Sequence, residues 1–242
     1  MDLNKNNMTP PPYQGAWGQT ALTDQVRSVM KRVYVRMTIG LLVSAFCALG
    51  VASSPALLSF FFGNQLVFWA MFIGMLVMAW VIPSRVNKMS NGTVIGLFVL
   101  FSALMGTWLS SIFLVYKMSA IISTFFITAG TFGAMSIYGY CTKSDLSKMG
   151  TYLIMGLIGL FIAMIVNWFL HSSALGWVIS IVGVLLFVGL TAWDTQQIKR
   201  MAAANLDPSL ADKLATIGAM NLYLDFINLF LFLLRIFGGS RD

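Results

Sequence analysis

Two aspartates carry most of the chemistry available to this chain. Asp225 is the only charged side chain between Lys213 and Arg235, within the run LATIGAMNLYLDFINLFLFLL. An unpaired aspartate at the centre of a membrane helix costs about 2.5–3.5 kcal/mol to insert. Such an acid is therefore usually turned inward, paired, and placed on an ion or proton path. Asp194, in VGLTAWDTQQIK, ends the preceding apolar segment. If the two carboxyls meet, they titrate in coupled steps, which makes a proton switch available without histidine. Oxygen ligands also suit a hard cation such as Ca²⁺, and two acids with nearby amides would form a weak, water-completed metal site. Two plainer readings stand beside these. Asp194 could be solvated at an interface, and Asp225 could be a structural acid bonded to backbone or amides.

Helical spacing supplies neighbours for the acids. Asn221, Asp225 and Asn228 stand at i−4, i and i+3, with Gly218 one turn earlier, so they share one face. A polar stripe of this kind belongs toward the bundle interior or water rather than toward lipid. The preceding segment offers Ser180, Gly183, Thr191 and Asp194 on a less regular face. Arg85, at the end of the second apolar segment, could reach Asp194 across helices, or simply anchor the chain at the cytoplasmic interface. Arg235 lies ten residues beyond Asp225. At about 1.5 Å per residue the two cannot pair within one straight helix, so Arg235 reads as a residue snorkelling to the outer interface.

The elements that position these residues are membrane spans. The 242-residue sequence is 58% hydrophobic and 10% charged, with a mean hydropathy of +0.83. Soluble domains carry about 25% charged residues, so this is an all-α integral membrane protein. Apolar segments occupy about 34–53, 66–83, 93–115, 119–141, 151–170, 174–193 and 214–238, each near the ~20 residues a span requires. Pro83 is expected to end the second. Residues 1–24, rich in Asn, Pro, Gln and Thr, read as a disordered tail, and 25–242 as a seven-helix transmembrane domain. With the N-terminus inside, twelve of the fifteen basic residues fall on the inner side, leaving Lys117, Arg235 and Arg241 outside. That bias places the N-terminus in the cytoplasm and the C-terminus outside, unless the last segment is broken and returns. The net charge of +7 thus reflects topology rather than nucleic-acid binding.

Small residues mark where helices can meet closely. Gly40, Ser44 and Ala48 repeat every four residues, as do Ser102, Gly106 and Ser110, and Gly156, Gly159, Ala163 and Asn167 form a third stripe. Cys47 and Cys141 are expected at different depths, as reduced structural thiols. The inventory also excludes functions. His171 is the single histidine, so a multi-histidine zinc site is absent, and no GxSxG elbow accompanies any serine. No lysine lies within a span to hold retinal, and no nucleotide-binding motif is present. An enzyme is the least expected class, and no resident cofactor is expected.

Three stretches carry a family likeness: TFGAMSIYGYCTKSDLSKMG (131–150), FVGLTAWDTQQIK (187–199) and LYLDFINLFLFLLRIFG (222–238). They resemble the Bax inhibitor-1 family of membrane proteins, most closely its bacterial branch, which FSALMGTWLSSIFLVY (101–116) also fits. The resemblance implies seven helices with the last one central and wrapped by the other six. It further implies a pH-sensitive Ca²⁺ leak channel with a di-aspartyl sensor at Asp194 and Asp225, and an arginine latch for which Arg85 is the nearest match. Some members carry an acid within the second helix, where this chain has Gly74. The expected partners are the lipid bilayer, protons and Ca²⁺, and the expected location is the bacterial inner membrane. A rival reading is an interaction protein that modulates a membrane protease or stress response without transport. A proton-coupled transporter is the third possibility.

Overall fold

The structure, a computed structural model, describes residues 12–204 and 207–239, with side chains from residue 22 onward. Its helices are α1 (Pro12–Ala52), α2 (Pro55–Gly63), α3 (Gln65–Arg85), α4 (Asn91–Leu109), α5 (Ile112–Val115), α6 (Met118–Cys141), α7 (Ser147–Leu170), α8 (Ser173–Ala202) and α9 (Pro208–Phe237). Seven spans among the described residues are long and apolar enough to cross a membrane, α4 and α5 together making the third.

Helix starts follow local capping chemistry. The side chains of Ser54, Asn64, Ser90 and Ser172 accept backbone N–H bonds at the first turns of α2, α3, α4 and α8, satisfying donors that a helix N-terminus leaves open. His171 ends α7 in the left-handed region at φ 50°. There it turns the chain within two residues into α8.

Three boundaries differ from the sequence expectation. Helix α1 already runs from Pro12, so a structureless tail over 1–24 is corrected from that residue on; residues 1–11 lie outside those described. Pro83 sits inside the last turn of α3 rather than stopping the span before it. Helix α8 continues to Ala202, past the expected end at 193, because its polar extension finds partners. Gln196 donates to the Ser144 carbonyl at 2.8 Å and accepts from the Leu146 N–H at 2.9 Å. Arg200 pairs with Asp145 at 2.7 Å. Asp194 is therefore two turns inside a helix and not at its end.

Helix α9 is the innermost element: 72% of its span window is buried, against 6% for α7. It packs chiefly on α1, α4, α6 and α8, while α3 packs chiefly on α4 and α7 on α8. Direct wrapping thus comes mainly from four spans, not six, with the second and fifth in an outer layer. Two of the three small-residue stripes form the tight contact of α1 with α4. A Cβ at Gly106 would lie 2.3 Å from the Ser44 carbonyl oxygen, and one at Gly40 would lie 2.6 Å from the Phe98 ring. The third stripe is looser, since Gly156 faces Leu186 but Gly159 faces open space.

Ties at one end of the bundle join Gln25, Arg32 and Arg36 of α1 to the end of α8 and the first turns of α9. Arg36 donates to the Asp212 carboxylate at 2.5 Å, to the Asp212 carbonyl at 2.6 Å and to Thr216 Oγ1 at 2.7 Å. Arg32 reaches the same carboxylate at 3.3 Å. Gln25 donates to the carbonyls of Ala202 and Ala204. Lys199 donates to the Tyr140 carbonyl and sits over its ring. This end also holds the α6–α7 connection and the basic residues after α3, and is called the basic end below. Helix α9 runs unbroken from Pro208 at this end to Phe237 at the other, so the described termini lie at opposite ends.

Candidate functional site

The acids are brought together by the antiparallel pairing of α8 with α9. That pairing is close because small residues on each helix accept bulky ones from the other. A Cβ at Gly183 would meet the Phe232 ring at 2.7 Å, and one at Gly218 would meet Ile198 at 3.0 Å. In this register Asp194 and Asp225 come within interaction range of each other on the wall of one cavity. Asp225 is 5% exposed, and its Oδ2 is buried without a hydrogen-bond partner. Asp194 is half-buried. An orphaned carboxylate oxygen in so dry a place is costly. It marks a position where a proton, a water or a cation completes the site.

Both acids line a cavity of about 730 Å³, within the usual ligand-site range of about 300–1,000 Å³. Its walls come from α4–α5 (Trp108, Ile112), from α7 (Leu157, Phe161), and from α8 and α9. The reason a cavity exists here lies in α9. Its lining residues Asn221, Leu224, Asn228, Leu231 and Arg235 recur at helical spacing and are the less buried members of that helix. The weakly packed α7 leaves that one stripe uncovered.

The expected stripe of Asn221, Asp225 and Asn228 is thus on the cavity face. Asn228 turns its Nδ2 to the Leu224 carbonyl of its own helix at 2.8 Å, which leaves the amide oxygen available. Two aspartates and two amides provide oxygen donors of the type a hard cation takes, fewer than the 6–8 that fully coordinate an ion such as Ca²⁺. Among the described residues no group of three or more His, Cys, Asp or Glu side chains gathers, so water would have to complete the shell.

Toward the basic end the cavity stops at the level of Asp194 and Asn221. Beyond it Ile198, Ala202, Ala215 and Ala219 are fully packed, with Ile198 filling the notch at Gly218. At the other end the cavity reaches Tyr116 and Arg235.

One expectation is corrected here and another is extended. Arg85 is exposed at the end of α3 and makes none of the ion pairs found among the described residues, so the latch to Asp194 is not made. Arg235 does more than reach an interface, because it lines the same cavity as the acids. Sequence reasoning also missed Asp212, whose pairing with Arg32 and Arg36 depends on two helices far apart in the chain. The three charges sit near their segment ends and carry no periodic signal. Cys47 and Cys141 are free thiols.

Comparison with known proteins gives a consistent result over nearly the whole chain. The family model described as inhibitor of apoptosis-promoting Bax1 matches residues 26–242. The inner membrane protein YbhL of Escherichia coli strain K12 is 48% identical over 218 residues, covering 89% of this chain and 93% of that protein. An uncharacterized protein of Borreliella burgdorferi is 46% identical, covering 88% and 92%. One of Deinococcus radiodurans is 40% identical, covering 97% and 100%.

Proposed function

The chain belongs to the Bax inhibitor-1 family, and from that premise we propose that it is a passive, proton-gated cation pathway with Ca²⁺ as the favoured ion. One observation carries the reading: two carboxylates from consecutive spans meet at the closed end of a 730 Å³ cavity, and a buried oxygen of one has no partner. Carboxylates in contact exchange charge as a unit. Ionising both sets like charges against each other; protonating one replaces that repulsion with a hydrogen bond. Either change biases the spacing of α8 and α9.

The packed stretch between the acids and the basic end, with Ile198 against Gly218, is where a separation of these helices would open a continuous path. Asn221 and Asn228 support the charge from the α9 face, and Arg85 takes no part. The relative YbhL is by name an inner membrane protein, and seven apolar spans fit the same location for this chain. The basic end is assigned to the cytoplasm, on the bias of lysine and arginine toward that side.

The test is Ca²⁺ influx into dye-loaded proteoliposomes from pH 5 to 8, for the wild type beside Asp194→Asn, Asp225→Asn and the double variant. A pH-dependent influx in the wild type, flattened in all three variants, is the expected result. Influx indistinguishable from protein-free liposomes, with protein that elutes as a single folded species, would sink the transport reading and turn attention to an interaction role.

A further inference from the structure

Among the described residues lining the cavity, three are charged: Asp194 and Asp225 at its closed end, and Arg235 at the other. Arg235 is exposed and makes none of the ion pairs found among the described residues. The other described basic residue at that end, Lys117, does not line the cavity. Ten residues of helix separate Arg235 from Asp225, a rise of about 15 Å. That exceeds the screening length of about 8–10 Å in physiological salt. A cation approaching the acids from this end therefore meets a positive charge with no ion-pair partner among the described residues, well before it feels the carboxylates.

We propose that Arg235 is a charge filter at the mouth of the pathway, lowering divalent flux more than monovalent flux and so tempering the preference for Ca²⁺ that the two carboxylates set. The inference rests on the cation-pathway reading above. Its physical signature is specific. A fixed charge changes the local potential, and the population of an ion at that point depends exponentially on ion charge times potential. Whatever factor neutralisation of Arg235 applies to a monovalent flux, it must apply the square of that factor to a divalent flux. One unit charge about 6 Å from the ion's route in a wet, salt-screened mouth changes a monovalent population about two-fold and a divalent one about four-fold. The distance to the acids makes a second demand: the filter should alter flux without altering its pH profile.

The experiment compares Ca²⁺ and K⁺ fluxes through proteoliposomes holding the wild type, Arg235→Gln, Arg235→Glu or Arg235→Lys, each first checked to elute like the wild type. Exposure of this side chain makes all three substitutions tolerable. Arg235→Gln should raise K⁺ flux about two-fold and Ca²⁺ flux about four-fold. Arg235→Glu should extend both in the same squared relation, and Arg235→Lys should match the wild type. The pH profiles of all four should superimpose after scaling. Equal factors for the two ions, or no change in either with flux intact, would overturn the filter and leave the pathway standing. Absence of flux from every protein, wild type included, would overturn the pathway and the filter with it.

Discussion

Gly106→Ala should destabilise the protein by about 2–4 kcal/mol. The added Cβ would stand 2.3 Å from the Ser44 carbonyl oxygen and 2.6 Å from Ser44 Cα. These are backbone atoms that no rotamer change can move. Helices α1 and α4 must part by about 1 Å to restore ordinary contact. That parting falls on a hydrogen-bonded junction: Ser44 Oγ lies 2.7 Å from the Ser102 carbonyl oxygen and 2.7 Å from Tyr223 Oη. Tyr223 belongs to α9, so the strain reaches the central helix. Overpacking of a core contact costs about 1–3 kcal/mol, and each weakened hydrogen bond adds about 0.5–1.5 kcal/mol. Gly130→Ala supplies the control, because a Cβ there meets nothing within 4 Å and alanine is the better helix former by up to about 1 kcal/mol. Denaturant unfolding in detergent micelles, followed by tryptophan fluorescence, measures both. If Gly106→Ala unfolds with the wild type while remaining monodisperse, or if Gly130→Ala is equally damaged, the close-approach account of α1 and α4 is wrong.

Three further outcomes follow from particular contacts. Asp212→Asn removes the charge that holds Arg32 and Arg36, in a cluster of three side chains that are only 16–38% exposed. A loss of about 1–3 kcal/mol should appear in unfolding, and a double-mutant cycle with Arg36→Gln should return most of it as coupling. Arg85→Gln should leave stability within about 0.5 kcal/mol of wild type and leave the pH profile of ion flux unchanged; a flattened profile would restore the latch. Asp145, in the exposed α6–α7 connection, is held down to about 2 from its ordinary 3.8, first by the Ser147 backbone N–H and then by Arg200. Because its folded value is depressed, its contribution is fully present above pH about 4 and is lost as pH falls toward 2. Carboxyl ¹³C shifts should titrate with a midpoint near 2, and in Arg200→Gln that midpoint should rise.

The seven spans were legible because an apolar run near 20 residues has few alternatives to crossing a bilayer. The pairing of Asp194 with Asp225 was legible for a related reason, since a charge in such a run must find a partner inside the bundle. Helix ends were less so. Extension of α8 through TQQIKRMA depends on Gln196 and Arg200 meeting the α6–α7 connection, and no periodicity in hydropathy records that meeting. The N-terminal part of α1, from Pro12 to Asp24, was hidden because its Pro, Gln and Thr composition reads as a tail, and the partner that ties down Arg32 and Arg36 in the turns after it, Asp212, lies 176–180 residues away. The cavity itself was not legible. It exists because α7 stands in an outer layer, and the apolar sequence of α7 suits lipid contact and helix contact equally well. For that reason Arg235 was placed at an interface, and Arg85 was offered as a latch that the packing of α3 does not bring within reach.

The central claim is that Asp194 and Asp225 act as one titrating unit at the end of a shared cavity. Infrared titration of the carboxyl bands in lipid, for the wild type and each single aspartate-to-asparagine variant, tests it most directly. The account predicts two coupled steps in the wild type and, in each variant, one step whose midpoint differs from both. Two independent steps in the wild type, each surviving unchanged when the other acid is removed, would contradict it.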